Sequence, residues 1–257
     1  MRNTLNKVRV LNLKITRGKY DSVLAEIVAA AKENDSSYVC VSNVHMNIEA
    51  YWDPSFAEKV NGSFITTPDG LPIAKAIRML YGFKQDRIAG MDLLPSLLSE
   101  AEKNNLSIFF YGGTQDMLDA TKNYVHINYP RIEAHNYFSP PFRELNSLEE
   151  KEIIDRINEA NPNLIFVALG CPKQEKWMAS MKRRVNACMI GIGGALPVMI
   201  GMQKRAPMWM QKLSLEWLYR LLQEPRRLFK RYLITNTLFI FLLLKQLFLL
   251  RIMGRAK

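Results

Sequence analysis

Cysteine is scarce. Three occur in 257 residues, Cys40, Cys171 and Cys188, with no CxxC pair among them. That excludes a disulfide framework and gives no sign of a zinc ribbon. Histidine is as rare: His45, His126 and His135 stand apart, there is no HExxH, and a zinc hydrolase is not expected. No GxxxxGK[ST] occurs, so the phosphate loop of P-loop nucleotidases is missing. Gly191-Ile192-Gly193 lacks the third glycine of a dinucleotide fingerprint, because Leu196 stands there. Residues 1–16 hold no continuous apolar run, so no signal peptide is expected and a reducing, cytoplasmic compartment is the default. Acid is missing from one end. Over 203–257 there are twelve Lys and Arg against two acids, Glu216 and Glu224, which places nearly all of the net charge of +11 in that segment. A near-neutral body with a basic tail meets something anionic: nucleic acid, anionic lipid or a diphosphate substrate.

What is present is a core. Hydrophobic residues make up 48% and charged residues 23%, which fits a globular chain rather than a disordered one. Short apolar runs alternate with longer helical patterns. Strands are expected over 8–15, 38–41, 62–66, 106–111, 131–136, 164–169 and 187–192. Helices are expected over 20–32, 44–51, 71–81, 91–104, 114–127, 148–160 and 174–183, with Asp53-Pro54 starting another. Ser147 and Glu150 read as the capping box of the 148–160 helix. This alternation predicts βαβ units: an α/β fold with a Rossmann-like parallel sheet flanked by helices. Helices alone are expected over 208–223 and 225–252. The chain therefore divides into an α/β body, 1–202, and a helical C-terminal appendage, 203–257.

Ligands of such sheets bind at the carboxyl ends of the strands, so chemistry is sought in those loops. Asn43 follows the 38–41 strand and either caps the next helix or donates to a sugar or phosphate. Asp69, in Thr67-Pro68-Asp69-Gly70, either bonds its own turn or serves as a general base toward a hydroxyl. Arg87 and Asp92 precede a helix; Asp92 can cap it and Arg87 can reach a phosphate. Gly112-Gly113 and Gly193-Gly194 are glycine-rich strand exits able to bring backbone N–H groups to a diphosphate. Lys173, Gln174 and Glu175 follow the strongest strand and can meet a ribose, a uracil or a phosphate. Cys171 beside them reads as a small buried thiol.

The tail mixes aromatic anchors with cations in Glu216-Trp217-Leu218-Tyr219-Arg220 and Pro225-Arg226-Arg227-Leu228-Phe229-Lys230-Arg231-Tyr232. Arg227 and Arg231 share a helical face, and arginine forks suit phosphate. The run 233–250, LITNTLFIFLLLKQLFLL, is interrupted by Asn236, Lys245 and Gln246 and is marginal for a spanning helix. A helix lying in the headgroups of an anionic membrane fits better. Nucleic acid is disfavoured, because the basic segment continues into an apolar one rather than a reading module.

Taken in order, VSN (41–43), PDG (68–70), RIAGMD (87–92), FFYGG (109–113), ALGCPKQEKW (168–177), GIGGA (191–195), KRAPMWM (204–210) and EWLYRLLQEPRRLFKRY (216–232) resemble the WecG/TagA/CpsF family of bacterial glycosyltransferases. The resemblance spans roughly residues 8–235. It implies an N-acetylmannosaminyltransferase-like enzyme that moves a sugar with inversion from a UDP-sugar to a polyprenyl-diphosphate-linked saccharide, with no metal or other cofactor. It implies Asp69 as the base, Asn43 as a positioning group, and Arg220, Arg227 and Arg231 as holders of the donor diphosphate. It sets Gln174 and Glu175 near the nucleotide. It also implies peripheral attachment through 203–257 to the cytoplasmic face of the bacterial inner membrane. Two departures stand out: Val41 where the family often has Thr, and Pro197 where many members have Asp. No residue decides the donor sugar; N-acetylmannosamine comes first and glucose second. A non-catalytic membrane scaffold of the same fold is the alternative, and the apolar tail can be covered by a second copy of the chain as well as by lipid.

Overall fold

The computed structural model describes residues 5–132, 135–213 and 215–255. The chain runs β1 (Lys7–Val10), β2 (Leu13–Thr16), α1 (Tyr20–Lys32), β3 (Ser37–Ser42), α2 (Val44–Trp52), α3 (Pro54–Asn61), β4 (Ile65–Pro68), α4 (Leu71–Tyr81) and α5 (Gly90–Lys103). It continues through β5 (Ile108–Tyr111), α6 (Gln115–Asn128), β6 (His135–Phe138), α7 (Ser147–Ala160), β7 (Leu164–Val167), α8 (Lys173–Met181), β8 (Cys188–Gly191) and α9 (Ala195–Met199). It closes in α10 (Met208–Lys212), α11 (Glu216–Gln223) and α12 (Pro225–Arg255).

Within the described residues, six strands form one sheet in the order β4-β3-β8-β7-β5-β6, and every pairing is parallel. Successive strand residues feed opposite faces, as period-two geometry requires. Phe109 and Tyr111 join one buried cluster with Ile165, Val167 and Met189. Ile108 and Phe110 join the other with Phe166, Ile190, Val39 and Val41. Helices cover both faces, which is the α/β architecture expected from the alternation. From β3 the chain moves outward to β4, while β8 takes the other side of β3. The exits of β3 and β8 therefore diverge and leave a crevice at their carboxyl ends.

Several expected boundaries shift for identifiable reasons. The single strand over 8–15 is a hairpin: β1 and β2 pair antiparallel, with Val10 opposite Leu13. Leu11, at φ +52°, makes the two-residue turn. Burial marks it, since the apolar alternation slips by one between Val10 and Leu13, both fully buried. The capping box opening α7 is Asn146 with Glu149, one residue earlier than Ser147 with Glu150. Asn146 Oδ1 accepts the Leu148 and Glu149 N–H groups at 3.0 and 2.9 Å, and Glu149 accepts the Asn146 N–H at 3.0 Å. Glu150 is engaged elsewhere, by Arg184 at 2.9 Å. The strand expected over 131–136 lies at His135–Phe138; residues 133 and 134 lie outside the described residues. The helix expected over 208–223 is broken into α10 and α11, where Glu216 places its carboxylate in the first turn of α11 and pairs with the body.

Helix α12 packs along α2 and against α4. Its buried residues Leu228, Thr235, Phe239, Leu242 and Leu243 recur at helical spacing. Phe239, Leu242 and Leu243 belong to the same apolar cluster as strands β5, β7 and β8. Further along, Gln246 grips the β1–β2 turn, accepting the Leu11 N–H at 2.9 Å and donating to the Arg9 carbonyl at 3.0 Å. The helix thus lies against the body from Leu228 to Gln246, with Phe241, Leu244 and Phe248 exposed on its other side.

Candidate active site

A cleft of about 780 Å³ opens at the carboxyl ends of the strands. That is the size of an ordinary small-molecule site. The exits of β3, β4, β7 and β8 make its floor, and α11 and α12 make its roof.

Asn43 ends β3 and caps α2, its Oδ1 accepting the Met46 N–H at 3.1 Å. The same side chain lies close enough to Asp69 to draw its carboxyl down. Capping and a role in the cleft are therefore not alternatives. Asn47 braces this corner by donating to Ser42 Oγ and to the Asn43 carbonyl, both at 3.0 Å.

Asp69 leaves β4 with its N–H donated to the Ser42 carbonyl at 2.8 Å. Gly70, at φ +87°, then turns the chain into α4, a conformation open to glycine without strain. Burial lifts the Asp69 carboxyl to about 6; Arg220, Arg87 and Asn43 pull the other way, and Glu216 adds to the rise. The result is an acid that is mostly ionised at neutral pH yet basic enough to take a proton.

The β8 exit is shaped by Gln174. A Cβ on Gly191 would lie 2.9 Å from Gln174 Nε2, and one on Gly193 would lie 3.2 Å from its Oε1. The glycines make room for this amide. Gln174 accepts the Gly170 N–H at 3.2 Å and donates to Glu175 Oε1 at 2.7 Å. Glu175 is fully buried, and burial raises its carboxyl to about 7. Gln174, Gly193 and Gly194 line the cleft, whereas Lys173 and Glu175 are not among its lining residues. Glu175 reaches the cleft through Gln174. Gly112 and Gly113 are also absent from the lining. Gly112 is required by close approach instead, since a Cβ there would meet the Ala168 backbone at 2.9 Å. Cys171, expected to be buried, is half-buried and lines the cleft, because Gly170 turns the chain at the β7 exit; partial burial still pushes its thiol well up.

The appendage contributes Arg220 from α11 and Arg227 and Arg231 from α12 to the cleft. Arg87 and Asp92 take up a different position. Arg87 bridges Glu216 and Asp92, both at 2.6 Å, and Asp92 is also paired with Arg205. This chain of charges ties the body to the appendage, and neither Arg87 nor Asp92 lines the cleft.

Sequence reasoning missed His45, Glu216, Thr235 and Asn236, which all line the cleft. His45 sits in the first turn of α2, two residues after Asn43, so its proximity was available as a signal. Burial, and then the Arg231 charge, lower its imidazole to about 4, so it is neutral. Among the described residues, no three His, Cys, Asp or Glu side chains converge as a metal-ligand group. Chemically, the cleft offers a proton acceptor on the sheet, guanidinium groups on the roof and a glycine-lined strand exit between them. That set suits displacement of an anionic leaving group by a hydroxyl.

Comparison with known proteins gives the same direction. The sequence profile described as "Glycosyl transferase WecG/TagA/CpsF family" matches residues 8–252. A protein of Bacillus subtilis named N-acetylglucosaminyldiphosphoundecaprenol N-acetyl-beta-D-mannosaminyltransferase is 35% identical over 186 residues, covering 72% of this chain and 71% of that one. A protein of the same name from Bacillus spizizenii is 31% identical over 76% of this chain and 74% of its own. One from Staphylococcus aureus is 29% identical over 77% of each.

Proposed function

The chain belongs to the WecG/TagA/CpsF family of glycosyl transferases, and from that premise we propose that it is an inverting, UDP-sugar-dependent enzyme of cell-surface polysaccharide synthesis. The donor sugar is N-acetylmannosamine or a related hexose, and the acceptor is a saccharide on a polyprenyl diphosphate. The names of the relatives support this acceptor and this sugar. The observation that carries the reading is the meeting of Asp69 from the sheet with Arg220, Arg227 and Arg231 from the appendage in one cleft.

The chemistry balances as a single displacement. The acceptor hydroxyl gives its proton to Asp69 while its oxygen bonds to C1 of the donor sugar. The bond from C1 to the UDP oxygen breaks, and its electron pair leaves on the diphosphate. Inversion follows from one attack on one face. The other cleft carboxylate, Glu216, has one oxygen held by Arg87 at 2.6 Å, and this reading assigns it no covalent role. The arginines neutralise the charge that develops on UDP, a role other transferases give to a metal ion. Asn43 orients Asp69, and Gln174 with Gly193 and Gly194 faces the nucleotide. General-base help of this kind contributes roughly 10²–10⁴-fold.

Residues 1–202 form the catalytic body and 203–257 the docking appendage. Trp209, Leu213, Phe229, Phe241 and Phe248 are exposed along that appendage beside its cations. A helix held to the body from Leu228 to Gln246 lies on a membrane rather than crossing it. The anionic cytoplasmic leaflet is its surface. A scaffold without activity would have no use for the Asn43–Asp69 pair beneath three arginines.

The test is UDP release by the purified chain, offered a panel of UDP-sugars with a short-chain diphospholipid-linked acceptor and EDTA. The reading expects release with one donor, dependent on acceptor and lost in Asp69→Ala. Release without acceptor, or unchanged release by Asp69→Ala, would overturn it.

A further inference from the structure

A second compartment opens off the cleft. It has a volume of about 190 Å³, below the range of ordinary small-molecule pockets and too small for a nucleotide. Its wall toward the cleft is shared: Arg220, Arg227 and Arg231 line both spaces, with Met91, Gly194, Tyr232 and the single acid Glu216. Its far wall is its own and includes Gln203, Lys204, Arg205 and Gln223. The lining therefore carries five cations, Lys204, Arg205, Arg220, Arg227 and Arg231, against two acids, Glu216 and Glu224. Both acids are already engaged, Glu216 by Arg87 and Glu224 by Arg227. Among the described residues, Lys204, Arg220 and Arg231 form no ion pair, and Arg231 Nε is buried without a hydrogen-bond partner. A guanidinium nitrogen left in that state marks a place for an anion.

We propose that this side chamber is the subsite for the diphosphate of the lipid-linked acceptor, separate from the place of the nucleotide diphosphate. The inference rests on the glycosyl transfer reading above, in which donor and acceptor each bring a diphosphate. One cationic wall between two such groups screens their repulsion, and Arg220, Arg227 and Arg231 form that wall. Lys204 then holds the acceptor alone, since Arg205 is paired with Asp92. The location fits a lipid. Residues of the chamber on α11 and α12 alternate with the exposed Leu222, Phe229 and Leu233, so a polyprenyl chain leaving the chamber meets apolar surface at once. The acceptor sugar, attached to the other end of the diphosphate, extends past Gly194 and Arg220 toward Asp69.

The test is equilibrium binding to the full-length chain of two probes, UDP and farnesyl diphosphate, each alone and then together. The proposal expects farnesyl diphosphate to bind a UDP-saturated sample with its affinity within a few-fold of that for the free protein. Lys204→Glu is expected to weaken farnesyl diphosphate by roughly tenfold and to leave UDP binding unchanged. Competition of the two probes for one place would overturn the proposal, as would a loss of UDP binding in Lys204→Glu. Failure of the wild-type chain to bind UDP would instead remove the transferase reading beneath it. Because Lys204 is exposed, the variant keeps its thermal transition, which a melting curve verifies.

Discussion

The proposed reaction asks Asp69 to be two things that oppose each other: a base near neutrality and a residue of a folded protein. Burial raises its carboxyl from 3.8 to about 6. The folded state therefore holds that proton more tightly than the unfolded chain does. Its contribution to stability is complete below about 3.8 and is lost as pH rises through about 6. Asp69→Asn should accordingly melt at a higher temperature than the native chain at pH 8, with the difference gone at pH 4. The same substitution should cost roughly 10²–10⁴-fold in turnover. In the native enzyme, kcat/KM should fall tenfold per pH unit below about 6. A flat acid limb, or an Asp69→Asn variant less stable at pH 8, would show that burial is not what tunes this group. At this scale the sequence was informative about identity but not about partners. Pro68-Asp69-Gly70 pointed to a strand exit, and Asn43 to a helix start. That the two side chains meet depends on β3 lying beside β4, which spacing along the chain does not encode. Arg87 and Asp92 show the converse. Their charge suited a phosphate, but Glu216 and Arg205, more than a hundred residues away, engage them in the structure.

Among the elements, strands buried on both faces were legible because they are continuous apolar runs between turn signals: LIFV of β7 and IFFY of β5 are examples. The hairpin was not, because its turn carries Leu11-Asn12 rather than the Asn-Gly or Asp-Gly that announces such turns. The length and apolar character of helix α12 are plain in its sequence, while its seating is visible only in the structure. Its sequence shows apolar residues all round; packing selects Thr235, Phe239, Leu242 and Leu243 for the core and leaves Phe241 and Phe248 outside. Those two phenylalanines are 63% and 64% exposed, so replacing both by serine should leave the melting temperature unchanged. Flotation with anionic phospholipid vesicles should nevertheless weaken by more than about tenfold, since each ring is worth roughly 1.5–3 kcal/mol when buried in an apolar phase. Unchanged flotation together with dissociation of a dimer or trimer on sizing would assign this face to a second copy of the chain.

The whole molecule divides its labour between a near-neutral sheet and a basic, apolar appendage. The sheet carries Asp69, Gly193 and Gly194, and the appendage carries Arg220, Arg227, Arg231 and the exposed apolar surface; in the proposed reaction these are the proton acceptor, the nucleotide-facing glycines, the countercharge and the lipid-facing side. Neither half holds a complete site, and the Arg87–Glu216 and Arg205–Asp92 pairs set one half against the other. The measurement that tests this most directly is single-turnover transfer from UDP-N-acetylmannosamine to a short-chain N-acetylglucosaminyl diphospholipid. It should compare the native chain with Arg220→Ala and Asp69→Asn, with folding of each verified by its melting curve. The account predicts that both variants stay folded, that both lose at least about a hundredfold in rate, and that the double variant loses little more than the worse single one. Full transfer by Arg220→Ala would contradict it, because the appendage would then be an anchor and no part of the active site.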